Sequence, residues 1–435
     1  MKRFLFNSGL LLLVALVLAA WVNLPWYGAL ALAILCGAWM LLARSGRQAA
    51  SVTAVGISTL RQRIGSSSVI VFGIAGVVGV LVAMLAMAAG LQATMQNGGR
   101  ADTAIVMRGG APTESQSVLV RSDLDAIVQA PGVAHDADGK PLVSGELVAA
   151  TNVTRRDNGE DASVQFRGVE DAAWALRPGI EIVAGRTFKP GMRELVVGRN
   201  AAQQYAHMQP GDEVRLGSEL WSVVGVFASG DGYDSELWAD RAAVSAAFRR
   251  GNSVSAALVK LADADAFDAF KAALASDPKL NVKVETTADY LAQQSEGLVK
   301  TIRAVGIAVG VIMAIGAIFG ALNCMFAAVA SRGREIATLR AIGFRGLPVV
   351  VSVMLETMAL ALLGGLVGGL LVWLVFNGHS ASTLNGFSQV VFRFEVNREL
   401  LWTGLKWALA IGFVGGLFPA VRAARLPVTT ALRET

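Results

Sequence analysis

Ser331-Arg332-Gly333-Arg334-Glu335-Ile336-Ala337-Thr338-Leu339-Arg340-Ala341-Ile342-Gly343-Phe344-Arg345-Gly346 lies between two long apolar runs, 304–330 and 348–376. Arg332, Arg334, Glu335, Arg340 and Arg345 crowd this short stretch. The hydrocarbon core of a bilayer does not accept so dense a set of charges, so the stretch belongs in water between two membrane-spanning helices. Its own pattern is helical. Ile336, Leu339 and Ile342/Gly343 recur at three-to-four spacing, and Arg334, Glu335 and Arg345 fall off that stripe. The expectation is a short amphipathic helix tucked under the membrane, placed to receive a push from a cytosolic partner.

Composition agrees with a membrane setting. The 435 residues are 54% hydrophobic and 16% charged, with a mean hydropathy of +0.52; a soluble chain carries about a quarter charged residues. The formal charge of +5 hides a partition. Residues 93–300 hold 21 Lys+Arg against 28 Asp+Glu, and the remainder holds 17 against 5. The positive charge therefore belongs to short loops beside membrane helices and is no sign of nucleic-acid binding. Cys36 and Cys324 both lie in apolar runs, so no disulfide framework is expected. His135, His207 and His379 show no ligand spacing, and no Walker A, His-Glu-x-x-His or Gly-x-Ser-x-Gly motif occurs. No catalytic, cofactor or metal site is expected in this chain.

Along the chain, the apolar run 4–22 follows Met1-Lys2-Arg3 and could open a signal peptide. The turn Asn23-Leu24-Pro25 and a second run, 26–43, favour a helical hairpin, so residues 1–48 form an N-terminal transmembrane hairpin. Trp21 and Trp26 flank its turn, and Arg44 and Arg47 close it. Residues 49–92 hold an interfacial elbow helix (49–64) and the first core span (69–92). Residues 93–300 are long enough for a domain of their own. Strand-like runs are expected at Thr103–Met107, Ser117–Val120, Leu142–Thr151, Ser163–Gly168, Glu194–Gly198, Ser255–Leu261 and Val282–Glu285. Helices are expected at Asp123–Gln129, Ala201–His207 and Ala264–Ala275, and a hairpin from Glu213–Leu216 and Leu220–Phe227. From Thr287 a helical pattern runs without a breaker into the span 302–330. Residues 301–435 supply three core spans (302–330, 348–376 and 400–421) around the segment 331–346, with the polar stretch 377–399 outside. The fold class is an α-helical integral membrane protein, four core spans plus the hairpin, with an α+β extracytoplasmic domain. Basic residues place both termini and the segment 331–346 on one side, inside.

Within the spans, Gly306/Gly310, Gly316/Gly320, Gly364/Gly368 and Gly365/Gly369 form Gly-x-x-x-Gly pairs. Such pairs serve close packing within one chain, a dimer seam or a sliding surface. Glu356, two turns into a span near its cytoplasmic end, is expected to reach the headgroups or to pair with an arginine such as Arg340 or Arg345. The acidic residues of Asp231–Asp240 lack calcium-loop spacing and are expected in a solvated turn.

Arg334-Glu335-Ile336-Ala337-Thr338-Leu339-Arg340-Ala341-Ile342-Gly343 before an apolar span resembles the coupling segment of MacB/FtsX/LolCE-type (type VII) ABC transporter permeases. The closing Pro419-Ala420-Val421-Arg422-Ala423-Ala424-Arg425 with Pro427, the elbow, the large outward domain, and Asp277–Val284 with Tyr290 are similar too. The resemblance covers roughly residues 50–435. It implies a permease subunit working as a homo- or heterodimer with a separate ABC ATPase. Arg334, Glu335, Thr338, Leu339, Arg340, Ala341 and Gly343 would receive the ATPase's stroke. It implies a Porter-plus-Sabre-like outer domain, the Sabre-like part near 168–252, moved by mechanotransmission. ATP-Mg would bind the partner, not this chain. The location implied is a bacterial inner membrane, with the large domain periplasmic and lipids all around. The cargo expected is lipophilic, peptide or lipoprotein-like, and a membrane-fusion protein is a further candidate partner. Two other readings remain open: an FtsX-like regulator of a cell-wall hydrolase, and a membrane-anchored sensor.

Overall fold

The computed structural model describes residues 17, 20–58, 63–385 and 388–425. Most of the first hairpin arm, with Lys2 and Arg3, lies outside the described residues, as do Leu60, Arg61, Pro427 and Arg433. The chain divides into two compact units. One comprises Met1–Met87, Ile302–Gly378 and Glu395–Thr435; the other comprises Ala88–Thr301 and His379–Phe394.

In the first unit and at its borders, four helices are long and apolar enough to cross a membrane: Ser67–Gln96, Thr287–Ser331, Gly346–Phe376 and Arg398–Arg425. The second hairpin arm, Trp26–Leu42, meets Arg44–Ser58 at a bend of 101°. The elbow therefore begins at Arg44 rather than at residue 49. Ala43 is extended there (φ −86°, ψ 144°). Gly46 is needed at the bend because a side chain would run into the Trp39 carbonyl. Trp21 Nε1 donates to the Lys406 carbonyl (2.9 Å), and Lys406 Nζ donates to the Val22 carbonyl (2.6 Å). These two bonds hold the hairpin turn on the last span.

Glycine spacing explains how the spans approach. A Cβ at Gly364 would come 2.8 Å from the Val71 carbonyl, and one at Gly368 would come 2.5 Å from that of Ala75. Gly365 and Gly369 face Ala408 and Leu401 on the last span. Adjacent Gly-x-x-x-Gly pairs thus place Gly346–Phe376 between the first core span on one side and the last on the other, the close approach that small residues permit without a hydrophobic drive between helices.

The second unit is built on a ten-stranded mixed sheet in the order β10-β1-β9-β2-β3-β8-β5-β7-β4, with β6 on β7. The strands are β1 Thr103–Arg108, β2 Val143–Thr154, β3 Asp161–Val169, β4 Glu181–Gly185, β5 Glu194–Gly198, β6 Glu213–Leu216, β7 Glu219–Ala228, β8 Leu237–Asp240, β9 Ala256–Lys260 and β10 Val282–Thr286. The long strand β2 belongs to both halves. Val143–Glu146 pairs with β9, and from Leu147 onward it pairs with β3. One half buries Val106, Val259, Phe270 and Leu274 against helices Arg121–Val128 and Ala266–Ser276. The other buries Phe166 edge-on to Trp221, with Tyr205 and Leu237.

Two expectations change and a third is extended. Ser117–Val120 is not a strand; Leu119 only bridges Val254. Asp231–Asp240 is no solvated turn. Asp231, Asp234 and Glu236 are buried, and Leu237–Asp240 is strand β8 inside the sheet. The polar stretch 377–399 contains a hairpin, β11 Ser380–Asn385 and β12 Ser388–Arg393, that clusters with the outer unit. The Ser235 hydroxyl accepts the Val391 N–H there (3.1 Å).

Candidate functional site

The charged segment is a helix over Gly333–Ala341. It begins where the long helix Thr287–Ser331 ends and stops at Gly343, whose φ of +105° turns the chain toward the span Gly346–Phe376. Ile336 and Ala337 are buried. Leu339 and Arg340 are half-buried, and Arg334, Glu335, Thr338, Ala341 and Gly343 are exposed. The apolar stripe is shorter than its spacing suggests. Ile342, expected on the stripe, is 70% exposed, because the helix has ended before its turn reaches the neighbouring spans. The exposed groups make a solvent-facing surface of mixed charge and small side chains on a helix anchored from behind.

Part of that anchor is ionic. Arg332, at the N-cap, donates Nη1 to Glu356 Oε2 (3.0 Å) and Nε to Glu335 Oε2 (3.1 Å). Arg63 Nη2 reaches Glu356 Oε1 at 3.4 Å. Glu356 is thus paired with Arg332 and Arg63, not with Arg340 or Arg345. Arg345 is the exposed N-cap of its own span, and Arg332 stands where the two helices meet, facing the span. Gly56 of the elbow closes over this pair; a Cβ there would lie 3.3 Å from Glu356 Oε2.

Of the other glycine positions, Gly306 meets Met84 and Gly310 meets Leu81 on the first core span. A Cβ at Gly316 or Gly320 would meet nothing within 4 Å among the described residues, and both line a groove with Gly73, Val77 and Met313.

The outer unit holds a second charged centre that periodicity does not reveal. Where β2 passes from one half-sheet to the other, Glu146 points at two arginines. Arg177 gives it two bonds (2.6 and 2.8 Å) and Arg167 a third (2.8 Å). Arg167, in mid-β3, also makes a bidentate pair with Glu236 (2.8 and 3.0 Å) and reaches Glu114 Oε2 (2.5 Å). Trp238 Nε1 donates to Glu236 (2.8 Å). The Tyr233 ring lies under the Arg177 guanidinium at 4.6 Å. Arg167 and Glu146 are almost fully buried. Burial alone would raise the Glu146 carboxyl, but Arg177 and Arg167 beside it hold it below the usual carboxylate range. Burial pushes the Tyr233 hydroxyl up to about 12 and raises Asp231, with Asp234 adding to the latter. The one sequence signal for this centre was a lone Glu and a lone Arg inside otherwise apolar or small strand runs, at Glu146 and Arg167.

Residues 67–277 match the family model of the MacB-like periplasmic core domain, and residues 307–428 match that of the FtsX-like permease C-terminal region. The chain belongs to the MacB/FtsX family of ABC permeases. It is 24% identical over 326 residues to the macrolide export ATP-binding/permease protein MacB of Bradyrhizobium diazoefficiens, covering 69% of this chain and 48% of that one. It is 23% identical over 337 residues to the uncharacterised ABC transporter permease YknZ of Bacillus subtilis, covering 72% of this chain and 81% of YknZ. The chain thus spans about half the length of the MacB relative. Among solved structures, the periplasmic region of MacB from Actinobacillus actinomycetemcomitans is similar at 14% identity, with a TM-score of 0.35, over 46% of this chain and 94% of that one. As a MacB/FtsX permease, the chain is a membrane protein with four core spans and an extracytoplasmic α/β domain.

Proposed function

We propose that this chain is the permease subunit of an ABC transporter in a bacterial inner membrane, with both termini cytoplasmic. A separate ABC ATPase hydrolyses ATP-Mg and docks on Gly333–Ala341. Two permease subunits work as a dimer, and a membrane-fusion protein extends the assembly where the envelope has two membranes. The stroke passes into the outer domain, which expels or extracts a lipophilic, peptide or lipoprotein-like cargo. The observation that carries this reading is the anchored helix with Arg334, Glu335 and Thr338 exposed on its outer face, directly following one unbroken helix from Thr287 to Ser331. An unbroken helix transmits displacement because bending it anywhere costs hydrogen bonds along its ladder.

The test is co-purification of an ABC ATPase with the tagged permease from its native membrane. Arg334→Glu and Glu335→Arg together should abolish capture of the ATPase while leaving the permease folded. Undiminished capture would remove the docking assignment.

A further inference from the structure

Beside the Arg167 cluster lies a cavity of about 400 Å3, within the outer unit. Its ionisable walls are Glu114, Asp231 and Glu236 against a single cation, Arg167, a formal charge of −2. Glu236 has both oxygens engaged by Arg167. The other two carboxylates do not. Glu114 accepts Arg167 through Oε2 alone, and Asp231 accepts the Tyr233 N–H and the Ser229 hydroxyl through Oδ1 alone. Both residues are more than nine-tenths buried, yet Glu114 Oε1 and Asp231 Oδ2 have no donor among the described residues. Neither oxygen is sealed off by protein atoms. The rest of the wall is mostly apolar, with Tyr290 on one side.

We propose that this cavity binds an organic cation, a protonated amine or guanidinium on an aromatic or aliphatic body. Buried carboxylates are tolerated when paired, and two unsatisfied oxygens in a site carrying surplus negative charge are complementary to a cationic donor. The apolar wall suits a hydrophobic body, and the volume suits a small organic molecule rather than a bare ion. Tyr290 stands in the first turn of the helix that continues to Ser331, and its hydroxyl accepts the Glu114 N–H at 3.3 Å. A bound cation therefore touches both the sheet and the start of that helix. The inference concerns binding alone and does not depend on the ATPase reading. Its failure would leave the Arg334 and Glu335 test untouched.

The experiment is calorimetric titration of the full chain in nanodiscs, with empty nanodiscs subtracted, using tryptamine, neutral tryptophol and anionic indole-3-acetate at neutral pH. Tryptamine should bind about tenfold or more tightly than tryptophol, and indole-3-acetate should not saturate. Gln165, in strand β3 on the cavity wall, is half-buried, and its side chain makes no hydrogen bond among the described residues. Gln165→Lys sets a competing ammonium in the cavity and should weaken tryptamine about fivefold or more without lowering Tm. Glu114→Gln should weaken it similarly, and Gln165→Lys decides the matter if Glu114→Gln unfolds. Equal affinity for tryptamine and tryptophol, unchanged affinity in Gln165→Lys, or no saturable tryptamine binding up to about 10 mM overturns the proposal.

Discussion

Arg332 and Glu356 stand 3.0 Å apart, joining the start of the exposed helix Gly333–Ala341 to the interior of the next span. Glu356 is 3% exposed and also meets Arg63, so one carboxylate ties together three segments. Removing it leaves two arginines beside apolar surroundings. Glu356→Leu should cost about 3–5 kcal/mol, the usual penalty for half of a buried pair. The double variant Glu356→Leu/Arg332→Leu should recover part of that loss. Thermal unfolding of the four members of the cycle in detergent measures the coupling, and additive losses would mean the pair is not held as described.

The glycines fall into two classes with opposite outcomes. Gly368→Val would drive a side chain into the Ala75 backbone and should lower Tm markedly, overpacking costing typically about 1–3 kcal/mol or more. A Cβ at Gly316 meets nothing within 4 Å among the described residues, and Gly316→Val should leave monomer stability within about 0.5 kcal/mol of wild type. Should the groove be a dimer seam, the same variant would shift the oligomer measured by light scattering.

Arg167 bonds three carboxylates at once, Glu114, Glu146 and Glu236. Arg167→Leu leaves them facing one another, with only Arg177 still on Glu146. A loss of about 3–5 kcal/mol is expected, read as early unfolding of the outer unit by the fluorescence of buried Trp221 and Trp238.

Acid should act through the paired carboxylates. The Arg186 guanidinium, bonded twice at 2.7 Å, holds Glu194 at about 2. Arg100 and Lys260 hold Asp102 low, and the two buried arginines hold Glu146 low. A depressed carboxylate stabilises the fold fully above its unfolded value of about 4–4.5, and that contribution is lost as pH falls toward the folded value. Tm should therefore be level through neutral pH and decline below about pH 4.5. A Tm that held level or rose between about pH 4 and about pH 2.5 would contradict these pairings.

Asp231 has the opposite sign. Burial and Asp234 raise it, so its charge opposes folding at neutral pH. Asp231→Asn keeps Oδ1 for the Tyr233 N–H and should raise Tm by about 2 °C at pH 7. A fall in Tm would show that the charge is needed for packing.

The sequence by itself determined the four core spans, the charged helical segment between two of them and most of the strands of the outer unit, because these rest on local quantities: run length, charge density and side-chain period. The resemblance was legible for the same reason, its residues being contiguous. Tertiary structure alone decided the partners. Glu114, Glu146, Arg167, Arg177 and Glu236 are scattered over the chain and meet only where β2 crosses between half-sheets. The acidic stretch at Asp231 read as a solvated turn because composition cannot show that Arg167 waits beside it. Glu356 found Arg332 and Arg63 rather than nearer arginines because helix ends, not sequence distance, set which side chains face each other. The hairpin Ser380–Arg393 clusters with the outer unit through non-local contacts that no window of sequence contains.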